Sequence, residues 1–356
     1  MLLRSVDIRQ FRNIAQAHLD CSSQLTLVVG KNAQGKTNAL DAIHIALQGK
    51  SFRNSPELEW FSFVDPDVIA ITASLDNGQG RLSSIEHRVM ANPHKRIHRG
   101  PKIPVVVFSP QDLALSKGSP SDRRRFLDQT ISLMNARYDR ALKQFQHAVL
   151  QRNRALKEPR LSHIVDSFNP ALVSYGTYVW QTRQEFVLTL LSQANVSYRR
   201  ISNGESLGGH LQYGGCQSPI ASEAEYLTVL EQRRTDERLR MMTLVGPHRD
   251  DLALDIGGRS VSLYASQGQH RLVSLSLKLA TFHLLQEEFG EPPVILLDDV
   301  LSELDSDRRG ELLRMISQKD QQTIVTDTEA RNYEYLSPMI YHVDNGSFTK
   351  WGQDHA

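Results

Sequence analysis

The stretch Leu25-Thr26-Leu27-Val28-Val29-Gly30-Lys31-Asn32-Ala33-Gln34-Gly35-Lys36-Thr37 decides the fold class. Its first five residues form a short apolar run, which is typical of a buried strand. The residues from Thr37 to Gln48 have helical spacing, and Gly49 is a suitable C-terminal stop for that helix. The loop between strand and helix fits G-x-x-x-x-G-K-[ST], whose backbone N–H groups surround phosphate oxygens. The pattern therefore predicts an α/β fold that binds a nucleotide.

This loop predicts binding of ATP with Mg²⁺. The ammonium of Lys36 should reach the β- and γ-phosphates, the hydroxyl of Thr37 should ligate Mg²⁺, and the helix N-terminus should attract the anion. A glycine-bearing surface turn is the alternative, but the flanking strand and helix favour the nucleotide loop. The predicted nucleotide-binding residues here are Gly30, Lys31, Asn32, Ala33, Gln34, Gly35, Lys36 and Thr37.

A second apolar run ends in two carboxylates at Asp298 and Asp299. Such an ending is common in itself, but beside a phosphate loop it predicts a catalytic pair. Asp298 should hold Mg²⁺, usually through water, and Asp299 should orient or deprotonate an attacking water. Most of the chain lies between Lys36 and Asp298, and this long separation resembles that in ABC-type ATPases.

Further segments resemble ABC-type motifs. Ala265–Gln269 precedes a predicted helix and resembles the signature loop. In that family a serine hydroxyl, a glycine N–H and the helix N-terminus grip the γ-phosphate held by another subunit. This role falls to Ser266, Gly268 and Gln269, although a Ser-Gln-Gly-Gln loop is otherwise an ordinary helix start.

Gln111, after an apolar strand at 105–108, is placed like the Q-loop glutamine that touches Mg²⁺ and the attacking water. Leu301–Asp305 is similar to a D-loop. ABC enzymes often place a switch histidine where this chain has Thr326-Asp327-Thr328, which contains none. Because Asp299 is also shorter than the usual glutamate, we expect slow ATP hydrolysis that resets a clamp.

Six sequence blocks extend the resemblance over almost the whole chain. They are Phe11–Asn13, Gly30–Asn38, Phe108–Leu113, Val245–Leu252, Ala265–Gln269 and Leu296–Asp305. Together they resemble the RecF family of bacterial recombination mediators, which have ABC-type heads similar to those of SMC-like repair ATPases. The resemblance implies an ATP-dependent homodimer on duplex or gapped DNA, partnership with RecR, and functional links to RecO and RecA. It also implies roles in DNA replication, repair and the SOS response.

The predicted architecture is an α/β ABC-type ATPase head, a mixed β-sheet with helices, built from both chain ends. Residues 1–116 and 241–356 should form this head, and residues 117–240 an inserted helical lobe with a basic face. An apolar stripe from Leu127 to Val149 predicts one long amphipathic helix in the insertion. Glycines in 202–219 predict a loop, and 252–264 reads as a β-hairpin.

The segment from Lys117 to Arg160 contains 11 Lys or Arg residues and 4 Asp or Glu residues, whereas the whole chain has a net charge of +1. Four of the cations fall opposite the apolar stripe and are predicted to contact DNA phosphates. A solvated helix face is the alternative. The four predicted DNA-binding residues are Arg125, Arg140, Lys143 and Arg154.

The sequence does not decide the roles of four other residues. Arg12 and Arg53 each follow an aromatic residue near the phosphate loop, where nucleotide, DNA or solvent are all conceivable partners. His248 and Arg249 lie in a family-like block without assigned chemistry, and a packing or hinge role is the modest expectation.

The composition excludes several classes of protein. With 356 residues, 40% hydrophobic and 23% charged, the chain is neither disordered nor collagen-like. It has two distant cysteines and no apolar run long enough to cross a bilayer, so we expect a cytoplasmic protein without membrane contact. Two alternative functions stay open: the ATPase subunit of a transporter, and an ATP-binding adaptor that does not hydrolyse ATP.

Overall fold

The structure is a computed structural model of the 356-residue chain. It describes residues 1–53, 55–61, 67–76, 82–202, 204–216, 219–300, 309–310, 312, 314, 320–330, 333 and 336–351. These residues divide into two compact units, Met1–Gln111 with Phe282–Ala356, and Asp112–Thr281. The predicted boundaries were at 116/117 and 240/241. The boundaries between the two compact units lie instead at 111/112 and 281/282, so residues 112–116 and 241–281 group with the middle of the chain. The predicted division into an ATPase head and a basic lobe stays a prediction.

The described residues form fourteen strands in three sheets. The strands are β1 Leu2–Phe11, β2 Ile14–Asp20, β3 Leu25–Val29, β4 Val68–Asp76, β5 Leu82–Met90, β6 Lys95–Arg99, β7 Val105–Phe108, β8 Leu207–Gln212, β9 Asp251–Ile256, β10 Arg259–Ser260, β11 Val294–Asp298, β12 Thr323–Asp327, β13 Met339–Asp344 and β14 Ser347–Lys350.

Eight α-helices have both ends within the described part of the chain. They are α1 Lys36–Gln48, α2 Ala114–Lys117, α3 Pro120–Met134, α4 Ala136–Lys157, α5 Asn169–Ile201, α6 Glu223–Arg240, α7 Val261–Tyr264 and α8 Gln267–Phe289.

The first unit contains a six-stranded sheet of order β14-β13-β3-β12-β11-β7 and an antiparallel five-stranded sheet of order β2-β1-β4-β5-β6. In the six-stranded sheet all neighbours pair in parallel except β14, which pairs antiparallel with β13. Strands β3, β11 and β12 are buried at every position, which explains why their sequences are continuous apolar runs. Helix α1 is buried along most of its length and shares one hydrophobic core with residues of both sheets.

The second unit is mainly helical and contains the small antiparallel sheet β10-β9-β8. One of its hydrophobic clusters joins residues of α4, α5 and α6, among them Phe145, Trp180 and Tyr226. Helix α5 is the longest helix of the described residues, with 33 residues, and α6 has 18. The mixed α/β class that the sequence predicted is confirmed.

Two local predictions for this unit are wrong, and a third is correct only in part. The stripe from Leu127 to Val149 belongs to two helices, because Asn135 is extended and its side chain accepts a hydrogen bond from Tyr138 N, which starts α4. The glycine-rich stretch contains β8, where a Cβ at Gly209 would lie 2.3 Å from Ala253 O of β9. The predicted hairpin is present, because β9 pairs antiparallel with β10, but its second strand is Arg259–Ser260 and Val261–Tyr264 is helical.

Candidate nucleotide-binding site

The predicted phosphate loop and the acidic strand meet at one edge of the six-stranded sheet. Strand β12 lies between β3 and β11, with Asp327 paired to Val29 and Thr326 paired to Asp298. Parallel strands end at the same edge, so their carboxyl ends bring distant segments together. This arrangement unites the two halves of the site although most of the chain separates them.

The loop curls tightly between β3 and α1. Gly35 has φ 119° and ends the loop, and Lys36 begins α1. A Cβ on Gly30 would lie 2.5 Å from Val343 O, so only glycine fits beside β13. The Lys36 side chain is 4% exposed, and its Nζ donates to Gly30 O at 2.8 Å and Lys31 O at 3.3 Å. The ammonium thus lies inside the loop, where phosphate oxygens would be its partners.

The middle of the loop is fixed through Gln34. Asn13 Nδ2 and Gly346 N both donate to Gln34 O, at 3.1 and 2.9 Å, and Asn345 N donates to Gln34 Oε1 at 2.7 Å. The contribution of the β13–β14 turn was not anticipated from the sequence, although Asn-Gly is a strong hairpin signal. Lys31, Asn32 and Ala33 are exposed beside these anchors.

Thr37 and Asp298 lie in direct contact. Thr37 Oγ1 donates to Asp298 Oδ1 at 2.8 Å, and Thr326 Oγ1 donates to the same oxygen at 3.0 Å. Burial raises the pKa of Asp298, and these two hydrogen bonds oppose the rise. One hydroxyl and one carboxylate beside a phosphate loop are a donor set that suits Mg²⁺, which takes few protein ligands and completes its shell with phosphates and water. The residues present therefore fit the predicted metal.

Asp299 faces the lysine of the loop. Its Oδ2 lies 3.9 Å from Lys36 Nζ, and its backbone has φ 51°, a left-handed conformation that aspartate tolerates. Burial raises the pKa of Asp299, whereas the Lys36 charge lowers it. A carboxylate with a raised pKa is the better general base near neutral pH.

Asp327 ends β12, at the position where the sequence comparison with ABC enzymes placed a switch histidine. Tyr333 Oη donates to Asp327 Oδ2 at 2.8 Å, and Thr328 N donates to Oδ1 at 2.6 Å. Asp327 O also accepts from Gly30 N at 3.3 Å, so β12 supports the loop directly. Where ABC enzymes often have a histidine, this chain thus has a hydrogen-bonded carboxylate.

Arg12 is engaged by the protein itself. Its Nη2 donates to Asp41 Oδ2 at 2.7 Å, and its Nη1 donates to Asn38 Oδ1 at 3.1 Å. Asp41 is fully buried in α1, and burial lowers the pKa of Arg12. Arg53 Nη1 reaches the same Asn38 oxygen at 3.1 Å. Both arginines therefore bind the first turns of α1, beside the phosphate loop.

The remaining predicted nucleotide residues lie further along the chain. Gln111 is exposed just after β7, whose last residue, Phe108, pairs with Leu297 beside Asp298. In the second unit, Ser266 Oγ accepts from Gln269 N at 3.2 Å and Ser266 N donates to Gln269 Oε1 at 3.0 Å. These reciprocal bonds form a capping box at the start of α8. The proposed D-loop, 301–305, lies outside the described residues.

The four predicted DNA contacts do not share one helix, because the break at Asn135 puts Arg125 on α3 and the others on α4. Three of them have acidic partners: Arg125 with Asp122, Lys143 with Asp139 and Arg154 with Glu158. Arg140 has no ion-pair partner among the residues described, which makes it the cation most available to an anion.

His248 and Arg249 both contact Thr243 O, through His248 Nε2 at 3.1 Å and Arg249 Nε at 2.8 Å. The His248 ring lies 5.7 Å from the ring of Phe145, and burial lowers the pKa of His248 to about 4. These contacts support the packing role that the sequence suggested.

The fold and this site define a P-loop ATPase head of the ABC type. A family described as an AAA ATPase domain matches residues 1–170. Two curated relatives, each described as DNA replication and repair protein RecF, cover 98% of this chain. The relative from Staphylococcus aureus (strain USA300) is 32% identical and is matched over 100% of its own length. The relative from Ligilactobacillus salivarius (strain UCC118) is also 32% identical and is matched over 98% of its own length.

A solved structure of the recombination mediator protein RecF with ATP, in the RecFOR pathway, superposes with a TM-score of 0.89 at 29% identity, covering 99% of this chain and 98% of that one. The chain belongs to the RecF family. An Smc head domain from Pyrococcus furiosus shares the fold alone, with a TM-score of 0.54 at 16% identity over 98% of this chain and 95% of its own. Within the described residues, no helix combines the length and apolar character needed to span a membrane.

Proposed function

We propose that this chain is an ATP-dependent DNA clamp of recombinational repair. It binds ATP with Mg²⁺, dimerises on duplex or gapped DNA, and helps to place RecA there together with RecR and RecO. The observation that carries the proposal is the contact of Thr37 with Asp298 beside the buried Lys36 ammonium. The relatives named above, and the ATP complex and pathway named for one of them, support the same function here.

ATP has a defined set of partners in this proposal. The loop from Gly30 to Thr37 holds the phosphates through its backbone N–H groups and Lys36. Thr37 and Asp298 hold Mg²⁺, which neutralises phosphate charge and orients the γ-phosphate. Gln111 lies near this edge and helps to position the attacking water.

Dimerisation depends on the γ-phosphate. Ser266, Gly268 and Gln269, at the start of α8, grip it from a second copy of the chain, so that ATP joins two heads. Ser266 is exposed, and a Cβ at Gly268 would meet only Ser266 Oγ at 3.9 Å, so this loop is open to a ligand. Hydrolysis removes the bridging group, and ADP therefore releases the dimer.

Hydrolysis is slow in this proposal and resets the clamp. Asp299 acts as the base or water-orienting group, and its raised pKa favours that role. Its side chain is one methylene shorter than glutamate, and it faces Lys36 at 3.9 Å. A turnover rate comparable to that of a transporter ATPase would contradict this part of the proposal, and no measurable turnover would favour the adaptor alternative. Membership of the RecF family argues against a transporter subunit.

Sedimentation velocity, which measures self-association, tests the clamp. The protein is run with ATP, with ADP or without nucleotide, each in the presence and absence of gapped duplex DNA. ATP should convert monomer to dimer, DNA should strengthen that dimer, and ADP should not support it. Lys36→Ala should lose ATP binding, whereas Asp298→Asn should bind ATP and accumulate as a dimer. Lys95→Ala, an exposed lysine of β6 in the same unit, is the matched control and should behave as the parent protein.

The proposal fails if nucleotide leaves self-association unchanged. It also fails if Ser266→Arg, which places a bulky cation at the start of α8, does not affect the ATP-bound dimer. Retained ATP binding by this variant, measured by equilibrium dialysis, separates a lost subunit contact from a lost nucleotide site.

A further inference from the structure

A groove in the second unit has no role in the nucleotide site. It has a volume of about 760 Å³ and is lined by side chains of α4 and α5 and by the start of α6. This volume lies in the range of about 300–1,000 Å³ that is common for small-molecule sites. The charged side chains that line it are Arg137, Arg140, Lys143 and Glu223. The groove therefore has a cationic excess.

Both arginines of the groove are available to a ligand. Neither Arg137 nor Arg140 has an ion-pair partner among the described residues, whereas Lys143 is paired with Asp139. The Arg137 guanidinium lies over the Tyr178 ring, with its Cζ 4.4 Å from the centroid. Arg137 is exposed, so its outer face is open for stacking.

The floor of the groove contains an unsatisfied hydroxyl. Thr177 lines the groove and is only 5% exposed, yet its Oγ1 has no hydrogen-bond partner in the described part of the chain. Buried hydroxyls without partners are uncommon and costly. A ligand that reaches the floor would supply the missing partner.

We infer that this groove binds unpaired nucleotides of a DNA strand, a refinement that rests on the proposed DNA-binding function. Arg140, assisted by Lys143, contacts a backbone phosphate, and an unpaired base stacks on the outer face of Arg137. Thr177 and Gln181 hydrogen-bond to the nucleotide. A recessed floor and a stacking surface suit a single strand, because the bases of a duplex already stack on one another.

Fluorescence anisotropy tests this inference. The full chain with ATP is titrated onto a labelled oligothymidylate and onto a labelled blunt duplex of equal length. Arg140→Gln should weaken single-strand binding about tenfold, reduce the salt dependence by about one phosphate, and change duplex binding much less. Arg238→Gln removes an exposed arginine of α6 outside the groove and should bind both DNAs normally.

Thr177→Val separates ligand contact from a structural role. Because the hydroxyl has no partner, valine should leave the free energy of unfolding unchanged or raise it, while single-strand affinity should fall about two- to tenfold. Unchanged affinity in this variant would overturn the inference.

Three further outcomes would also overturn it. If Arg140→Gln weakened the binding of both DNAs equally, the proposed DNA-binding function would stand. The groove would then not be a site for an unpaired strand. Displacement of the oligothymidylate by poly-aspartate at equal charge would assign the groove to an acidic protein segment. An ATP-dependent dimer that binds neither DNA would remove the proposed DNA-binding function itself.

Discussion

The buried ion pair between Arg152 of α4 and Glu237 of α6 offers a quantitative test of what stabilises the second unit. The two side chains are 2% and 1% exposed, and Arg152 Nη2 lies 2.6 Å from Glu237 Oε2. Arg152 also donates to Thr243 Oγ1 at 3.0 Å, and Glu237 Oε1 accepts from Leu244 N at 2.7 Å. Both charges are therefore desolvated, and each depends on the other.

Glu237→Gln should destabilise the protein by about 3–5 kcal/mol, because removing one partner leaves the Arg152 charge buried without compensation. For a unit of this size, a loss of 1 kcal/mol lowers Tm by about 2–4 °C, so we expect a fall of about 6–20 °C. Replacing both residues, as Arg152→Met with Glu237→Leu, should restore most of the loss, since no orphan charge remains.

The matched control lies two residues further along α4. Arg154 pairs with Glu158 at 3.0 Å, but these side chains are 69% and 48% exposed. Glu158→Gln should therefore cost less than about 0.5 kcal/mol. Urea unfolding of the full chain, followed by circular dichroism, measures all four proteins. If Glu237→Gln and Glu158→Gln cost the same, burial does not determine the strength of these pairs and the reasoning is refuted.

Three other predictions follow from particular contacts. Gly30→Ala should lose ATP binding and unfold at lower temperature in calorimetry, because its Cβ would lie 2.5 Å from Val343 O; normal binding would contradict the loop geometry. Gly268→Ala meets no close atom, so its melting temperature should be unchanged while ATP-dependent dimerisation weakens at least tenfold in sedimentation. Burial lowers the pKa of His87 to about 4. Between this pKa and the ordinary histidine value of 6.5, the folded state binds fewer protons than the unfolded state. The free energy of unfolding should therefore be highest above pH 6.5 and should fall towards pH 4 by about 1.4 kcal/mol per pH unit. His87→Leu should flatten this profile in urea titrations at pH 7 and 5, and an unchanged slope would exclude His87 as its source.

The nucleotide edge was largely predictable because its parts are local. A buried strand, a glycine loop and a helix follow one another from Leu25 to Gln48, and the contact between Thr37 and Asp298 follows from two such motifs and a parallel sheet. The support from the turn at Asn345-Gly346 was not predictable, since nothing in the residues near Gln34 indicates which distant hairpin will contact it. Such contacts depend on the order of strands in the sheet.

Periodicity was a less reliable guide in the second unit. The apolar stripe from Leu127 to Val149 continues across Asn135, because two helices that pack on one core can keep the same spacing of apolar residues. At the break Asn135 has an extended backbone, and its side chain accepts a hydrogen bond from Tyr138 N. Glycine was misleading at Gly209, because there it permits close approach between strands and does not mark a loop.

Counting charges in the sequence also overestimated the surface available to DNA. Arg123 is bound by Asp251, and Arg152 by Glu237, so two of the cations between Lys117 and Arg160 are structural. Composition cannot separate a buried cation from an exposed one, because that distinction depends on which residues of other elements face it. Arg140 became the strongest DNA candidate only through its lack of an acidic partner in the described residues.

The contacts at the nucleotide edge distinguish the roles that we propose for its carboxylates. Asp298, Asp299 and Asp327 lie at or next to the carboxyl ends of β11 and β12, and Asp299 Oδ2 lies 3.9 Å from the Lys36 ammonium, so a triphosphate without a compensating cation would meet an excess of negative charge. Tyr333 and a backbone N–H satisfy Asp327, which leaves it a structural part of the edge. Asp298 is oriented by two hydroxyls and suits a cation, whereas Asp299 faces the lysine and has a raised pKa. Three chemically identical groups thus have different surroundings: two hydroxyls at Asp298, the Lys36 ammonium beside Asp299, and a tyrosine and a backbone N–H at Asp327.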